Sequence, residues 1–171
     1  ITASAGNHAQ GVALSGQKLG IRAIIVMPKT TPDIKVQAVK RLGGEVVLHG
    51  DSFDVANKYA IARAAEDGMT FIPPYDDELV MAGQGTIGNE ILRQWRDVDY
   101  VFVAVGGGGL IAGVAAYLGD VAPHVKVIPV EYDESACLKA ALETNERVIL
   151  PTVGLFADGT AVAQIGEKPF D

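Results

Sequence analysis

The feature that most restricts the fold is an unbroken alternation of strand-like and helix-like segments joined by short connections. Residues 1–4 read as the end of a strand, and residues 7–19 as a helix stopped at Gly20. Residues 22–27, Arg-Ala-Ile-Ile-Val-Met, read as a buried strand. Pro32 is placed to open a helix at its first position with Thr31 as cap, and Gly43-Gly44 ends it. A strand is predicted over 45–49, then a long helix capped by Asp51 or Ser52 that reaches Asp67 and stops at Gly68. Residues 70–72 predict a short strand, ended by Pro73-Pro74. The theme repeats with helix 85–96, strand 100–105, helix 110–118, strand 125–131 and helix 135–144. Such alternation calls for mostly parallel sheets covered by helices on both faces. The expected architecture is α/β, with two three-layer, doubly wound, mostly parallel sheets, the second incomplete. Residues 73–81 are the least regular stretch. Residues 1–75 are therefore expected to form a small domain and residues 76–171 part of a larger one.

Composition narrows the partners. The chain has 171 residues, 49% of them hydrophobic and 20% charged, which is enough to bury a core and too apolar for disorder. Lys and Arg total 14 against 21 Asp and Glu, for a formal net charge of −7, and no basic run exceeds Lys40-Arg41. Nucleic acid and anionic membranes are poor partners for such a chain. Residues 100–119 carry no charge and match the ~20 residues of a membrane span. The glycines at 106–109 and the flanking acids Asp99 and Asp120 favour strand, glycine turn and helix instead. The lone cysteine, Cys137, cannot close an intrachain disulfide, which points to a reducing, cytoplasmic compartment. The chain opens on Ile1 in mid-strand, and residues 166–171 bring no closing element, so an internal piece of a longer protein is expected.

Gly106, Gly107, Gly108 and Gly109 follow a strand and precede a helix. Glycines there permit unusual backbone conformations and let amides approach a ligand without a Cβ in the way. The helix start behind them adds positive partial charge. A tight turn alone needs one glycine, so the run suits a phosphate. Gly107-x-Gly109-x-x-Ala112 also satisfies the dinucleotide fingerprint, and Glu131 ends the next strand where a ribose-binding acid would sit. A non-catalytic nicotinamide-dinucleotide domain therefore competes, although it leaves the N-terminal motif unexplained.

That motif, Thr2-Ala3-Ser4-Ala5-Gly6-Asn7-His8-Ala9-Gln10-Gly11, is the most specific segment. It reads as a second strand-to-helix turn with a polar tip, whose amides and side chains could cradle a carboxylate. A simple N-cap would explain Ser4 or Asn7, but not the whole constellation.

Ser4-Ala5-Gly6-Asn7-His8, followed far downstream by Gly106-Gly107-Gly108-Gly109-Leu110, resembles the pyridoxal-phosphate enzymes of the tryptophan-synthase β type, fold type II. Pro-Pro-Tyr-Asp at 73–76, Ala-Gly-Gln-Gly-Thr-Ile at 82–87, Ser-Ala-Cys-Leu-Lys-Ala-Ala-Leu at 135–142 and Gly-Leu-Phe-Ala-Asp-Gly-Thr-Ala-Val at 154–162 narrow the resemblance to threonine dehydratases, above all the biosynthetic form. It covers essentially the whole chain. The resemblance implies pyridoxal 5′-phosphate as cofactor, with Asn7 hydrogen-bonding its 3′-hydroxyl. Gly106, Gly107, Gly108, Gly109 and Leu110 would hold its phosphate through backbone amides. Ser4, Ala5, Gly6, Asn7 and His8 would grip the carboxylate of an amino-acid substrate. The family's Schiff-base lysine sits in a Ser-x-Lys segment upstream of the first turn. None of Lys18, Lys29, Lys35, Lys40, Lys58, Lys126, Lys139 or Lys168 lies in such a segment, so no catalytic residue is expected in this chain, and the piece alone is expected to be inactive.

The implied reaction, in a longer and homo-oligomeric enzyme, turns threonine (or serine) into 2-oxobutanoate (or pyruvate) and ammonia, as in isoleucine biosynthesis. A serine racemase-like enzyme is the nearest alternative. That relative has a serine acid/base just after the first motif serine, where this chain has Ala5, which cannot transfer a proton. It also binds a divalent cation through a Glu and an Asp. Glu131 matches the first, but Cys137 stands near the second, so no metal is expected. Among the remaining residues, His49 and His124 read as surface positions and Cys137 as a small core residue. Glu131 reads as an acid facing the cofactor ring, and His8 as support for its turn or a contact to substrate.

Overall fold

The computed structural model describes residues 1–154 and 156–171, and its internal contacts divide the chain into two units, Ile1–Pro74 and Tyr75–Asp171. Leu155, within the 154–162 motif, lies outside the described residues.

The first unit is built on a three-stranded parallel sheet in the order β1-β2-β3, with β1 at Thr2–Ala3, β2 at Ile24–Met27 and β3 at Glu45–Leu48. Ile24 pairs with Glu45 and Met27 with Leu48. The central strand, Ile-Ile-Val-Met, is buried throughout, because helices cover both of its faces. Its side chains alternate between two cores. Ile25 and Met27 pack with Ala9 and Ala13 of α1 (Asn7–Leu19) and with Val36 and Val39 of α2 (Asp33–Arg41). Ile24 and Val26 pack on the other side with Ala56, Ala60 and Ala64 of α3 (Phe53–Glu66). Small residues four apart on α3 let that helix lie close to the sheet. Ser52 caps α3 by accepting from the Val55 N–H at 3.4 Å.

The second unit carries two parallel strands, β4 (Tyr100–Ala104) and β5 (Lys126–Val130). Before them runs α4 (Glu78–Gln94); between them lies α5 (Gly109–Val121); after them come α6 (Cys137–Thr144) and α7 (Glu167–Phe170). Val103 packs inward against Val114 and Leu118 of α5, whereas Tyr100 and Phe102 on the opposite face are exposed. α4 and α5 approach until backbone meets backbone: a Cβ on Gly113 would run into the Met81 carbonyl and lie 2.9 Å from the Gly85 nitrogen. Parallel strands and flanking helices make this the expected α/β architecture, with a second sheet of only two strands.

Several boundaries differ from the sequence reading. Residues 70–72 form no strand; the Ile1 nitrogen donates to the Thr70 carbonyl and the Ile72 N–H to the Ile1 carbonyl, a partial ladder beside β1. α4 begins at Glu78 rather than at 85, because the Asp77 carboxylate caps the Leu79 and Val80 amides at 2.9 and 3.0 Å. Pro32 stands outside α2 with ψ 140°, and the Thr31 hydroxyl is buried without a partner instead of capping. Residues 133–135 form a 3₁₀ turn ahead of α6, and α7 occupies residues expected to hold no element. Residues 100–119 are strand, loop and helix, and no helix among the described residues is long and apolar enough to cross a membrane.

Candidate functional site

In the first unit, β1 runs into a turn that opens α1. The Ser4 N–H extends the ladder by donating to the Val26 carbonyl at 3.1 Å. The Ser4 hydroxyl folds back to accept from the Gly6 N–H at 3.2 Å, closing a local turn. Gly6 occupies the N-cap position, and Asn7 is the first helical residue. The first bond of the helix runs from the Gln10 N–H to the Gly6 carbonyl, so the amides of Asn7, His8 and Ala9 have no acceptor inside the helix. Gly6 and Asn7 are exposed, and Ala5 is half-buried. Three helix-start amides and one carboxamide are thus gathered at the turn.

His8 faces the other way. Its Nε2 lies 3.0 Å from Thr2 Oγ1 and 3.4 Å from the Ile72 carbonyl. The Thr2 hydroxyl donates its only proton to that same carbonyl at 2.7 Å. Both neighbours of Nε2 therefore offer lone pairs, so Nε2 carries the proton and donates. Burial pushes the His8 pKa below its usual value, partly offset by the bond to Ile72. His8 is thus a neutral strut tying the turn to β1 and to residue 72. Among the other histidines, His124 is exposed, but His49, read as a surface residue, is half-buried and stacked on Tyr59 with ring centroids 4.0 Å apart.

In the second unit, the glycine loop links β4 to α5. Val105 still donates to the Val130 carbonyl at 2.9 Å, and the chain then turns. Gly108 sits at the N-cap of α5 with φ +91°, a left-handed conformation that favours glycine. The loop's carbonyls point into the protein. That of Gly106 accepts from the Cys137 thiol at 3.5 Å, and that of Gly107 from the Gly166 N–H at 3.0 Å. The first bond of α5 runs from Ala112 N–H to Gly108 carbonyl, so the amides of Gly109, Leu110 and Ile111 lack intrahelical acceptors.

Packing adds a second reason for the glycines, one not read in the sequence. Their missing side chains would collide with protein. A Cβ on Gly107 would enter the Tyr75 ring, and one on Gly109 would lie 2.6 Å from the Tyr75 carbonyl oxygen. On Gly108 it would lie 2.5 Å from Ile165 Cδ1 and 2.7 Å from Pro169 Cβ, and on Gly106 3.1 Å from Thr160 Cα. The wall behind the loop is thus Tyr75, Thr160, Ile165 and Pro169, residues that sequence reasoning did not single out for the site. The Pro-Pro-Tyr-Asp segment was the available signal.

Glu131 is committed elsewhere. Its two carboxylate oxygens accept from the Leu138 and Lys139 amides, each at 2.8 Å, and so cap α6. This overturns both the ribose-binding acid of the dinucleotide reading and the acid facing the cofactor ring. Cys137 is fully buried, and burial with the nearby Glu131 charge pushes its thiol up to about 11.

Helix-start amides without intrahelical acceptors, beside carbonyls tied into the protein, fit a phosphate better than any cation. Comparison with known proteins agrees. The family described as pyridoxal-phosphate dependent enzyme matches residues 1–171, and the chain belongs to it. Over 170 residues it is 59% identical to the biosynthetic L-threonine dehydratase of Haemophilus influenzae, covering 99% of this chain and 33% of that protein. The chloroplastic biosynthetic threonine dehydratase of Arabidopsis thaliana is 58% identical over 171 residues, with 29% of its length covered. The chain therefore spans about a third of the length of these relatives. Among solved structures, processed threonine deaminase isoform 2 of Solanum lycopersicum superposes with a TM-score of 0.94 at 55% identity, over 99% of this chain and 47% of that one. Maize serine racemase gives 0.91 at 31% identity, over 99% and 51%. The fold is that of the type II pyridoxal-phosphate enzymes.

Proposed function

We propose that the complete protein carrying this chain is a threonine ammonia-lyase of the biosynthetic type, converting threonine to 2-oxobutanoate and ammonia, and serine to pyruvate and ammonia. The glycine loop carries the reading: its carbonyls are held inward and the α5 amides lack intrahelical acceptors. High identity to threonine dehydratases supports the substrate class. Pyridoxal phosphate, when bound, supplies an electron sink for chemistry at the amino acid's α-carbon.

This chain's own residues bind and orient. Amides of Gly106, Gly107, Gly108, Gly109 and Leu110 hold the phosphate. The Asn7 carboxamide, exposed at the head of α1, hydrogen-bonds the cofactor's 3′-oxygen. The α1 amides, with Ser4, Ala5, Gly6, Asn7 and His8 forming the turn, receive the substrate carboxylate. Neutral His8 keeps that turn in register without adding charge. Ala5 has no proton to give to the α-carbon. No lysine of this chain is assigned the α-proton.

We place the enzyme in isoleucine biosynthesis, in a reducing compartment such as the cytoplasm, as a homo-oligomer acting on a small amino acid without a metal. The test is to incubate the full-length protein with pyridoxal phosphate and L-threonine and to measure 2-oxobutanoate. Turnover should fall in the ordinary enzyme range, about 1–10³ s⁻¹. An Asn7→Ala variant should lose cofactor affinity. Production of D-serine from L-serine without any 2-oxo acid would refute the reading.

A further inference from the structure

Asp76 lies in no position expected to touch substrate, yet it makes two bonds across 91 and 92 residues of sequence. Its Oδ2 accepts from the Glu167 N–H at 3.0 Å and its Oδ1 from the Lys168 N–H at 3.0 Å. These are the opening amides of α7, a helix of four residues, too short to persist without outside support. A second tie, Lys168 Nζ to Glu78 Oε1 at 2.6 Å, holds the same turn.

What α7 holds is the glycine loop. Gly166, its N-cap, donates to the Gly107 carbonyl at 3.0 Å, and Ile165 and Pro169 fill the space that a Cβ on Gly108 would need. A trans peptide points its C=O and N–H in opposite directions. No peptide among the described residues is cis. Tying the Gly107 carbonyl to Gly166 therefore aims the Gly108 N–H away from α7.

We propose that Asp76 is a positioning residue for the phosphate loop: by capping α7 it fixes the Gly107–Gly108 peptide and so aims the Gly108 amide at the cofactor phosphate. This rests on the assignment of the loop to the phosphate, and it does not depend on which amino acid is the substrate.

The test compares two probes, pyridoxal phosphate and pyridoxal, binding to the full-length protein, followed by visible absorption. Phosphorus NMR of bound pyridoxal phosphate gives a second readout. In Asp76→Asn, one acceptor becomes a donor facing a backbone N–H and the charge is lost. Affinity for pyridoxal phosphate should fall about tenfold or more. Affinity for pyridoxal should change less than about twofold, and the bound phosphorus resonance should shift. Asp76→Ser keeps one capping oxygen and should lie between. Equal loss for both probes would reduce Asp76 to a structural role. Unchanged binding of pyridoxal phosphate would mean that the loop does not depend on Asp76, and tighter binding that it feels the carboxylate's charge rather than its cap. Either result overturns the proposal. A wild-type protein that does not prefer pyridoxal phosphate to pyridoxal would refute the loop assignment itself. Absence of 2-oxo acid with normal cofactor binding would refute only the proposed reaction.

Discussion

If Gly107 is a glycine because Tyr75 fills its side-chain space, then removing Tyr75 should make an alanine there tolerable. The perturbation is Gly107→Ala alone, Tyr75→Ala alone, and both together. Gly107 does not adopt a positive φ, so the alanine brings no left-handed strain, and its whole cost is steric. Its Cβ would enter the Tyr75 ring near Cγ, close to the tyrosine backbone, where the side chain cannot simply swing away. Overpacking of this kind costs about 1–3 kcal/mol. Tyr75→Ala loses part of a half-buried ring, but it clears that space. The double variant should therefore be about as stable as Tyr75→Ala, a favourable coupling of about 1–3 kcal/mol. Gly109→Ala is the contrast. Its Cβ meets the Tyr75 carbonyl oxygen and Cα at 2.6 and 2.9 Å, backbone atoms that no truncation removes, so Tyr75→Ala should not rescue it. Urea unfolding of the full-length protein and pyridoxal-phosphate titration read both quantities. If Gly107→Ala lowers cofactor affinity by the same factor with and without Tyr75, the glycine serves the ligand's approach and the packing explanation is wrong.

Burial lowers the His8 pKa below 6.5, so from about pH 6.5 down to that depressed pKa the unfolded chain binds more protons than the folded one. Stability should fall across that window as pH falls, and His8→Gln should flatten the slope in urea midpoints measured from pH 7.5 to 5; identical slopes would remove His8 as the cause. Gly113→Ala drives a Cβ into the Met81 carbonyl and the Gly85 amide, and should cost at least the ~1–3 kcal/mol of ordinary overpacking, seen as a lower thermal midpoint. An unshifted midpoint would mean that α4 and α5 are not in backbone contact.

Much of the fold was legible because local signals agreed with tertiary ones. The Ile-Ile-Val-Met run read as a buried strand and is the central one, and Ser52, one of the two residues read as the α3 cap, caps it. The errors arose where one residue type serves two purposes. Residues 73–81 read as irregular, which hid the first turns of α4 behind the Asp77 cap; the glycines Gly85 and Gly88 within the predicted helix bring α4 against Gly113, Tyr117 and Leu118. Residues 70–72 look like a strand because they are apolar and stop at prolines. Their pairing involves Ile1, the Thr2 hydroxyl and His8, and no spacing rule encodes partners about 70 residues away.

The candidate site divides along the same line. That two turns suit anions follows from glycine and helix-start chemistry, which is local. That Glu131 caps α6 is not local, because it depends on a 3₁₀ turn at residues 133–135 bringing the helix start back over the strand end. Its negative charge has a further effect. Together with burial it holds the Cys137 thiol up to about 11, far above physiological pH, so the sulfur keeps its proton and remains a donor to the Gly106 carbonyl. A thiolate there would repel that oxygen and release the peptide between Gly106 and Gly107. The loop's two inward carbonyls are therefore held by unlike devices, a buried thiol on one side and the Gly166 amide on the other. Neither donor adds a charge of its own at the head of α5, where the backbone dipoles present their positive ends.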